Sequence, residues 1–288
     1  MSSNTDPIPN TTDLPRGKVR MMPVLLLRDW GLEKTIRFGE GKYVGCPINA
    51  ARVFTGKNVD ALILLDIIAT PMGRPPQLDI IREIASESMM PIIFGGGLRD
   101  VDTIREALRA GADQVVLNAT AVEVPSLVQD ASDRFGRQCI VVSIDARKHP
   151  DGRYEVFTHN GTKATGLDPV EHARHMEESG AGEILINAID RDGTMEGYDI
   201  ALIRAVADAV SIPVIALGGA GSVADLAAAT YEGHASAVAA GAFFLFYGKR
   251  RTVLITYPKD EELAAHFLPE HVRIKDPYQA LDTTLARL

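Results

Sequence analysis

Cysteine is almost missing from this chain: Cys46 and Cys139 are the only two in 288 residues. Two thiols so far apart exclude a disulfide framework and a thiolate metal knuckle, and they fit a reducing cytoplasm. The histidines show no ligand spacing and no serine or cysteine sits in a nucleophile elbow, so the sequence implies no metal and no other cofactor. Basic charge is also short. Thirty Lys and Arg against 38 Asp and Glu leave a net charge of −8, and the densest basic cluster is the triplet Lys249-Arg250-Arg251. A nucleic-acid partner held by a basic field is therefore not expected. No apolar run approaches the roughly 20 residues that cross a bilayer. The polar segment 1–18 is neither signal peptide nor anchor and is expected to be disordered. These absences predict a cytoplasmic protein with no membrane partner.

What is present is glycine in a repeated setting. Pro91-Ile92-Ile93-Phe94-Gly95-Gly96-Gly97 returns 122 positions later as Pro213-Val214-Ile215-Ala216-Leu217-Gly218-Gly219-Ala220-Gly221, and at that offset Gly111 falls on Gly233. An apolar run, then glycines, then a helix start lets backbone N–H groups approach and hold a phosphate. The repeat implies two such turns in two similar halves. Continuously apolar runs, as in a parallel sheet covered on both faces, occur at 21–27, 61–67, 91–94, 114–118, 139–145, 183–189, 213–217 and 235–240. Helical patterns fall between them at 77–86, 101–110, 125–134, 169–179, 200–210 and 223–231. Eight strands alternating with helices predict an α/β fold, the (β/α)8 TIM barrel, built from two half-barrels. The expected organisation is a tail over 1–18, the barrel over 19–248 and a C-terminal extension over 249–288 containing the strand-like run 252–258. Two connections exceed what a barrel needs. Residues 28–45, rich in glycine and charge, predict a mobile lid, and 146–166 predict a small hairpin around Tyr154–Phe157. Cys139, within the run Cys139-Ile140-Val141-Val142, is expected in the core.

Reacting groups of such a barrel sit at the C-terminal ends of its strands. Asp145 ends the fifth run and is the first candidate for a general acid or base, its alternative being a turn aspartate. Asp66 ends the second run and is a candidate for positioning a substrate hydroxyl. Asp192 and Gly193, in Asp190-Arg191-Asp192-Gly193-Thr194, either bind substrate or build an Asp-Gly turn. Asn118 and Ala119 complete the first phosphate cup with Gly96 and Gly97. The second is formed by Gly218 and Gly219 with Ala240 and Gly241.

From Arg20 to about Phe246 the chain resembles the cyclase subunit of imidazole glycerol phosphate synthase, the HisF family. The resemblance is carried by Phe94-Gly95-Gly96-Gly97, Val142-Ser143-Ile144-Asp145-Ala146, Ser179-Gly180-Ala181-Gly182-Glu183-Ile184-Leu185 and Ile189-Asp190-Arg191-Asp192-Gly193-Thr194. It implies a bisphosphate-like substrate across the mouth, a glutaminase subunit docked at the N-terminal barrel face, and ammonia passing up the interior to Asp145. The family's second catalytic aspartate, on strand one, is absent: Leu26 stands in its place, and a leucine cannot move a proton. Asn187 and Leu217 replace hydroxyl residues near the substrate. Ala61 and Gln114 replace two charged members of the ammonia gate, of which Arg20 and Glu183 remain. This pattern, together with 41–50 and 231–241, resembles the paralogous branch associated with acetamidino sugars of surface polysaccharides. The favoured function is thus amidine formation on an acetamido sugar with ammonia from a partner glutaminase, on a phosphorylated or nucleotide-linked substrate. The alternatives are the histidine-pathway cyclase itself, a lyase, and a non-catalytic conduit for a glutaminase.

Overall fold

The computed structural model describes residues 18–248, 250–268 and 271. The expected tail over 1–17, Lys249 of the basic triplet and the last part of the extension lie outside the described residues. Eight apolar runs become eight parallel strands: β1 (Arg20–Arg28), β2 (Leu62–Asp66), β3 (Ile92–Gly95), β4 (Gln114–Leu117), β5 (Ile140–Lys148), β6 (Glu183–Ala188), β7 (Val214–Leu217) and β8 (Ala237–Ala240). Each pairs with the next, and β8 returns to β1 in the register Arg20↔Ala237, so the sheet closes and keeps no edge. The (β/α)8 barrel is the observed fold.

Side chains alternate across each strand and divide the core in two. Outward residues such as Leu25, Leu64, Phe94, Val142 and Ile186 pack under the helices in the larger apolar cluster. Inward ones, including Met22, Val24, Ala61, Ile63, Ile93, Val116, Val141, Leu185, Ile215, Ala237 and Ala239, form a second, wholly apolar cluster inside the barrel. The half-barrel repeat extends to helix capping. Asp100 and Thr103 form a reciprocal box at the start of Val101–Ala110, and Ser222 and Asp225 form the same box 122 positions on, at Val223–Tyr231. Losing either cap costs about 1 kcal/mol.

Three segments add to or depart from the expected pattern. The segment 28–45, expected as a mobile lid, holds regular structure: Gly31–Lys34 folds back on β1 and pairs with Lys42–Gly45, so the connection extends the sheet. The alternation that drives this buries Leu32 and Lys34 while leaving Glu33 partly open. The helix Pro47–Gly56, absent from the helical patterns read in the sequence, begins on a proline at its first turn and buries Ile48, Ala51 and Phe54 at helical spacing. Cys139 is not in a strand. It ends the short 3-10 turn Arg137–Cys139 and is half-buried, one residue before β5. The hairpin after β5 pairs Tyr154–Thr158 with β5 and with Lys163–Ala164. In the extension, Thr252–Val253 pairs with Phe246–Tyr247, and Tyr257 stacks on Phe244 at 5.4 Å before the short helix Asp260–Ala264. Val19 N–H donates to the carbonyl of His271 at 2.8 Å, which ties the extension to the N-terminal end of β1.

Candidate active site

The inward positions at the C-terminal strand ends form one ring: Leu26, Leu65, Gly95, Asn118, Asp145, Asn187, Leu217 and Gly241 all line a pocket at the mouth. It holds about 1100 Å³ including its opening, enough for a sugar-sized ligand with a charged group. Asp145 sits within it. Asn118 Nδ2 donates to one carboxylate oxygen at 3.2 Å and Asn187 Nδ2 to the other at 3.2 Å. Burial pushes the Asp145 carboxyl up to about 7; the Asn187 hydrogen bond opposes the rise and the negative charge of Asp192 adds to it. A carboxyl half-ionised near neutrality can both give and take a proton.

The other carboxylates are engaged. Asp66 accepts from the backbone N–H groups of Ile68 and Ala69 at 3.1 and 3.0 Å and from Gln77 at 2.9 Å, with Arg74 3.5 Å away. It borders the pocket but is spent on organising the loop after β2. Asp192 holds the Lys34 ammonium at 2.9 Å with both side chains almost fully buried. Both line the pocket, so the hairpin after β1 delivers a cation to the mouth that composition and spacing did not reveal. Asp29, one step beyond β1, is largely exposed and pairs with Arg74 at 3.4 Å, so it does not take the place left by Leu26.

The two glycine turns differ. Gly96 and Gly97 line the pocket with Asn118 and Ala119. Gly96, at φ 111°, leaves no room for a β-carbon, which would lie 2.3 Å from the Asp66 carbonyl. At the second turn only Gly241 reaches the pocket, against the Lys34 side chain. Gly219 is instead packed on the Gly197 carbonyl, and Gly193 on the Thr35 carbonyl. Gly218, Gly219, Ala240 and Gly193 are not among the residues that line the pocket. Sequence reading missed Thr35, Phe38, Thr70, His159 and Asn160, which also face it. The left-handed backbone of His159 and Asn160, at φ 52° and 55°, turns the β5 hairpin over the mouth, and the Asn160-Gly161 pair was the one available signal.

At the opposite end of the barrel Arg20 donates to Glu183 at 2.9 Å. Ala61 belongs to the inner apolar cluster, and Gln114 turns away to the Gln138 carbonyl at 2.9 Å. Among the described residues no His, Cys, Asp or Glu grouping could hold a metal ion, and no helix is long and apolar enough to cross a membrane.

A closed (β/α)8 barrel with duplicated glycine turns and the carboxylate of Asp145 in its mouth pocket is the class of structure that this chain presents. Residues 21–249 match the family model described as "Histidine biosynthesis protein". The chain is also 47% identical, over 244 residues, to the protein of Pseudomonas aeruginosa named "Putative imidazole glycerol phosphate synthase subunit hisF2", with 85% of this chain and 97% of that relative covered. The chain belongs to the histidine-biosynthesis protein family and is a HisF-like synthase subunit.

Proposed function

We propose that this chain is the ammonia-using subunit of a glutamine amidotransferase pair, and that it replaces the oxygen of an acetamido group on a sugar with nitrogen, for surface polysaccharide. The observation that carries this reading is the mouth ring itself. Asp145 is the one ring carboxylate, and the β1 residues that line the pocket, Val24, Leu26 and Arg28, include no carboxylate. Ring closure to an imidazole in the family's manner draws on two acid/base groups, whereas amidine formation calls for proton movement around a single carbon: ammonia adds, the amide oxygen leaves as water, and an amidine remains. Asp145, poised near neutrality, can take a proton from the attacking nitrogen and return it to the departing oxygen.

The rest of the barrel supports the same direction of flow. Between the Arg20–Glu183 pair and Asp145 the interior is lined by apolar side chains, which admit neutral ammonia more readily than ammonium. Asn187 Oδ1 is buried without a hydrogen-bond partner beside Asp145, an acceptor that an arriving N–H can satisfy. A separate glutaminase supplies the nitrogen, since neither cysteine of this chain is set up as an activated nucleophile. Cys46 is an exposed helix-cap residue, and burial pushes the Cys139 thiol up, away from thiolate.

Complementation of a histidine auxotroph lacking the cyclase tests the reading. No growth, or growth slowed in line with the ~10²- to 10⁴-fold loss that removal of a positioned acid/base group causes, is expected. Growth at the wild-type rate would restore the histidine-pathway reaction, which the name of the Pseudomonas relative favours.

A further inference from the structure

The rim of the mouth on the β1 side carries large side chains with no covering. Trp30, the only tryptophan of the chain, is 73% exposed at the turn between β1 and Gly31–Lys34. Tyr43, 65% exposed, stands beside it on the neighbouring strand, its ring packed over Gly31, where a β-carbon would lie 2.8 Å away. The patch continues into the hairpin of the C-terminal extension. Lys42 Nζ lies 5.9 Å from the Phe246 ring and the Arg251 guanidinium 4.9 Å from the same ring, and Tyr247 next to it is 64% exposed. Arg251 donates to the Gly193 carbonyl at 2.7 Å, which brings the exposed Ile36 into the same surface, because Gly193 abuts the backbone of Thr35 and Ile36.

The charge of this rim runs against that of the chain. The acids here are largely neutralised: Asp29 by Arg74, Glu33 by Arg28 and Glu196 by Arg37, with Glu40 exposed in the hairpin turn. Lys42, Arg250 and Arg251 have no carboxylate within ion-pair distance among the described residues, in a protein of net charge −8. Tryptophan and tyrosine beside unpaired basic residues is the composition that settles in the headgroup layer of a bilayer.

We propose that this rim is a docking surface for an anionic lipid bilayer, with Trp30, Tyr43, Tyr247 and Ile36 entering the headgroup layer and Lys42, Arg250 and Arg251 meeting lipid phosphates. It departs from the expectation of no membrane partner, which rested on the lack of a spanning segment; a peripheral surface needs none. It deepens the amidine reading, on which it rests only for its purpose: a mouth held against a bilayer receives an acceptor sugar carried on a lipid. Binding itself is measured without any substrate, so the failure of one does not mimic the failure of the other.

Trp30 is a built-in probe. Full-length protein is mixed with vesicles of phosphatidylglycerol and phosphatidylcholine, and tryptophan emission and co-sedimentation are read together. Emission should shift to the blue and the protein should pellet, with both effects lost at ~1 M salt, where the Debye length shrinks to about 3 Å. Each of Lys42→Gln and Arg250→Gln should weaken partitioning on the order of fivefold. Trp30→Ser should reduce sedimentation, while Met89→Ser, which removes an exposed methionine far from the mouth in the loop before β3, should not. Unshifted emission with the protein left in the supernatant would overturn the proposal, as a rim made for a protein partner would produce. Equal binding to pure phosphatidylcholine, or equal binding by Trp30→Ser, would overturn it as well.

Discussion

Replacing Asp145 by asparagine should separate stability from chemistry in a pH-dependent way. The folded carboxyl titrates at about 7 against an ordinary 3.8, because burial disfavours its charge more than Asn118 and Asn187 stabilise it. Between those values the folded protein holds a proton that the unfolded chain has lost. Stability therefore falls as pH rises through this window, by about 1.36 kcal/mol per unit, and is flat above it. Asparagine carries no charge and escapes the penalty. From pH 5 to pH 8 the wild type should lose roughly 2–3 kcal/mol relative to Asp145→Asn, most of it before pH 7. The variant can be somewhat weaker at pH 5, since an amide meets two amide donors and only its oxygen can accept. The difference between the two pH values isolates the ionisation. Urea unfolding of both proteins at pH 5, 6, 7 and 8 gives the four stability differences, while turnover at pH 7 should be lost in the variant. A stability difference that does not change with pH would show that Asp145 ionises normally, and the acid/base role assigned to it would fall.

Other outcomes follow from the same geometry. Lys34→Met leaves the Asp192 carboxylate buried and unpaired, which should cost about 3–5 kcal/mol in chemical denaturation, whereas Lys34→Met with Asp192→Leu should recover most of the loss. With Lys34 gone, the uncompensated charge of Asp192 should also push the Asp145 titration higher, visible as an upward move of the acidic limb of the pH–rate profile. The isolated chain should release no glutamate from glutamine; measurable release without a partner would contradict the division of labour between two subunits. Crystals grown in sulfate should show anion density at Gly96, Gly97 and Asn118, because that turn borders the pocket, and weaker density or none at Gly218 and Gly219, which lie outside its lining.

The strands were legible because a parallel sheet covered on both faces needs unbroken apolar runs, and those runs lie within two or three residues of the observed strands, except where β5 continues into its hairpin. The repeated turn was legible too, since only glycine fits where the Asp66 carbonyl would meet a β-carbon at 2.3 Å. Asp145 could be picked out by its place at a strand end. The Lys34–Asp192 pair could not: its partners are 158 positions apart and meet only when the hairpin folds across the mouth. The engagement of Asp66 was local and could have been read, as an aspartate accepting from backbone N–H groups two and three residues on is an ordinary turn device. The unequal access of the two glycine turns depends on loops from other strands, which no repeat within the sequence reports.

The central claim is that Asp145 directs ammonia onto an acetamido carbon. It is tested most directly by incubating the purified protein with ammonium chloride and an acetamido sugar, offered both nucleotide-linked and on a lipid phosphate, with and without a candidate glutaminase, and reading the sugar by mass spectrometry. Wild type should convert the acetamido oxygen to NH, take nitrogen from labelled ammonium, and lose the activity in Asp145→Asn without loss of fold. Imidazole glycerol phosphate formation at full rate, or undiminished nitrogen transfer by Asp145→Asn, would contradict it.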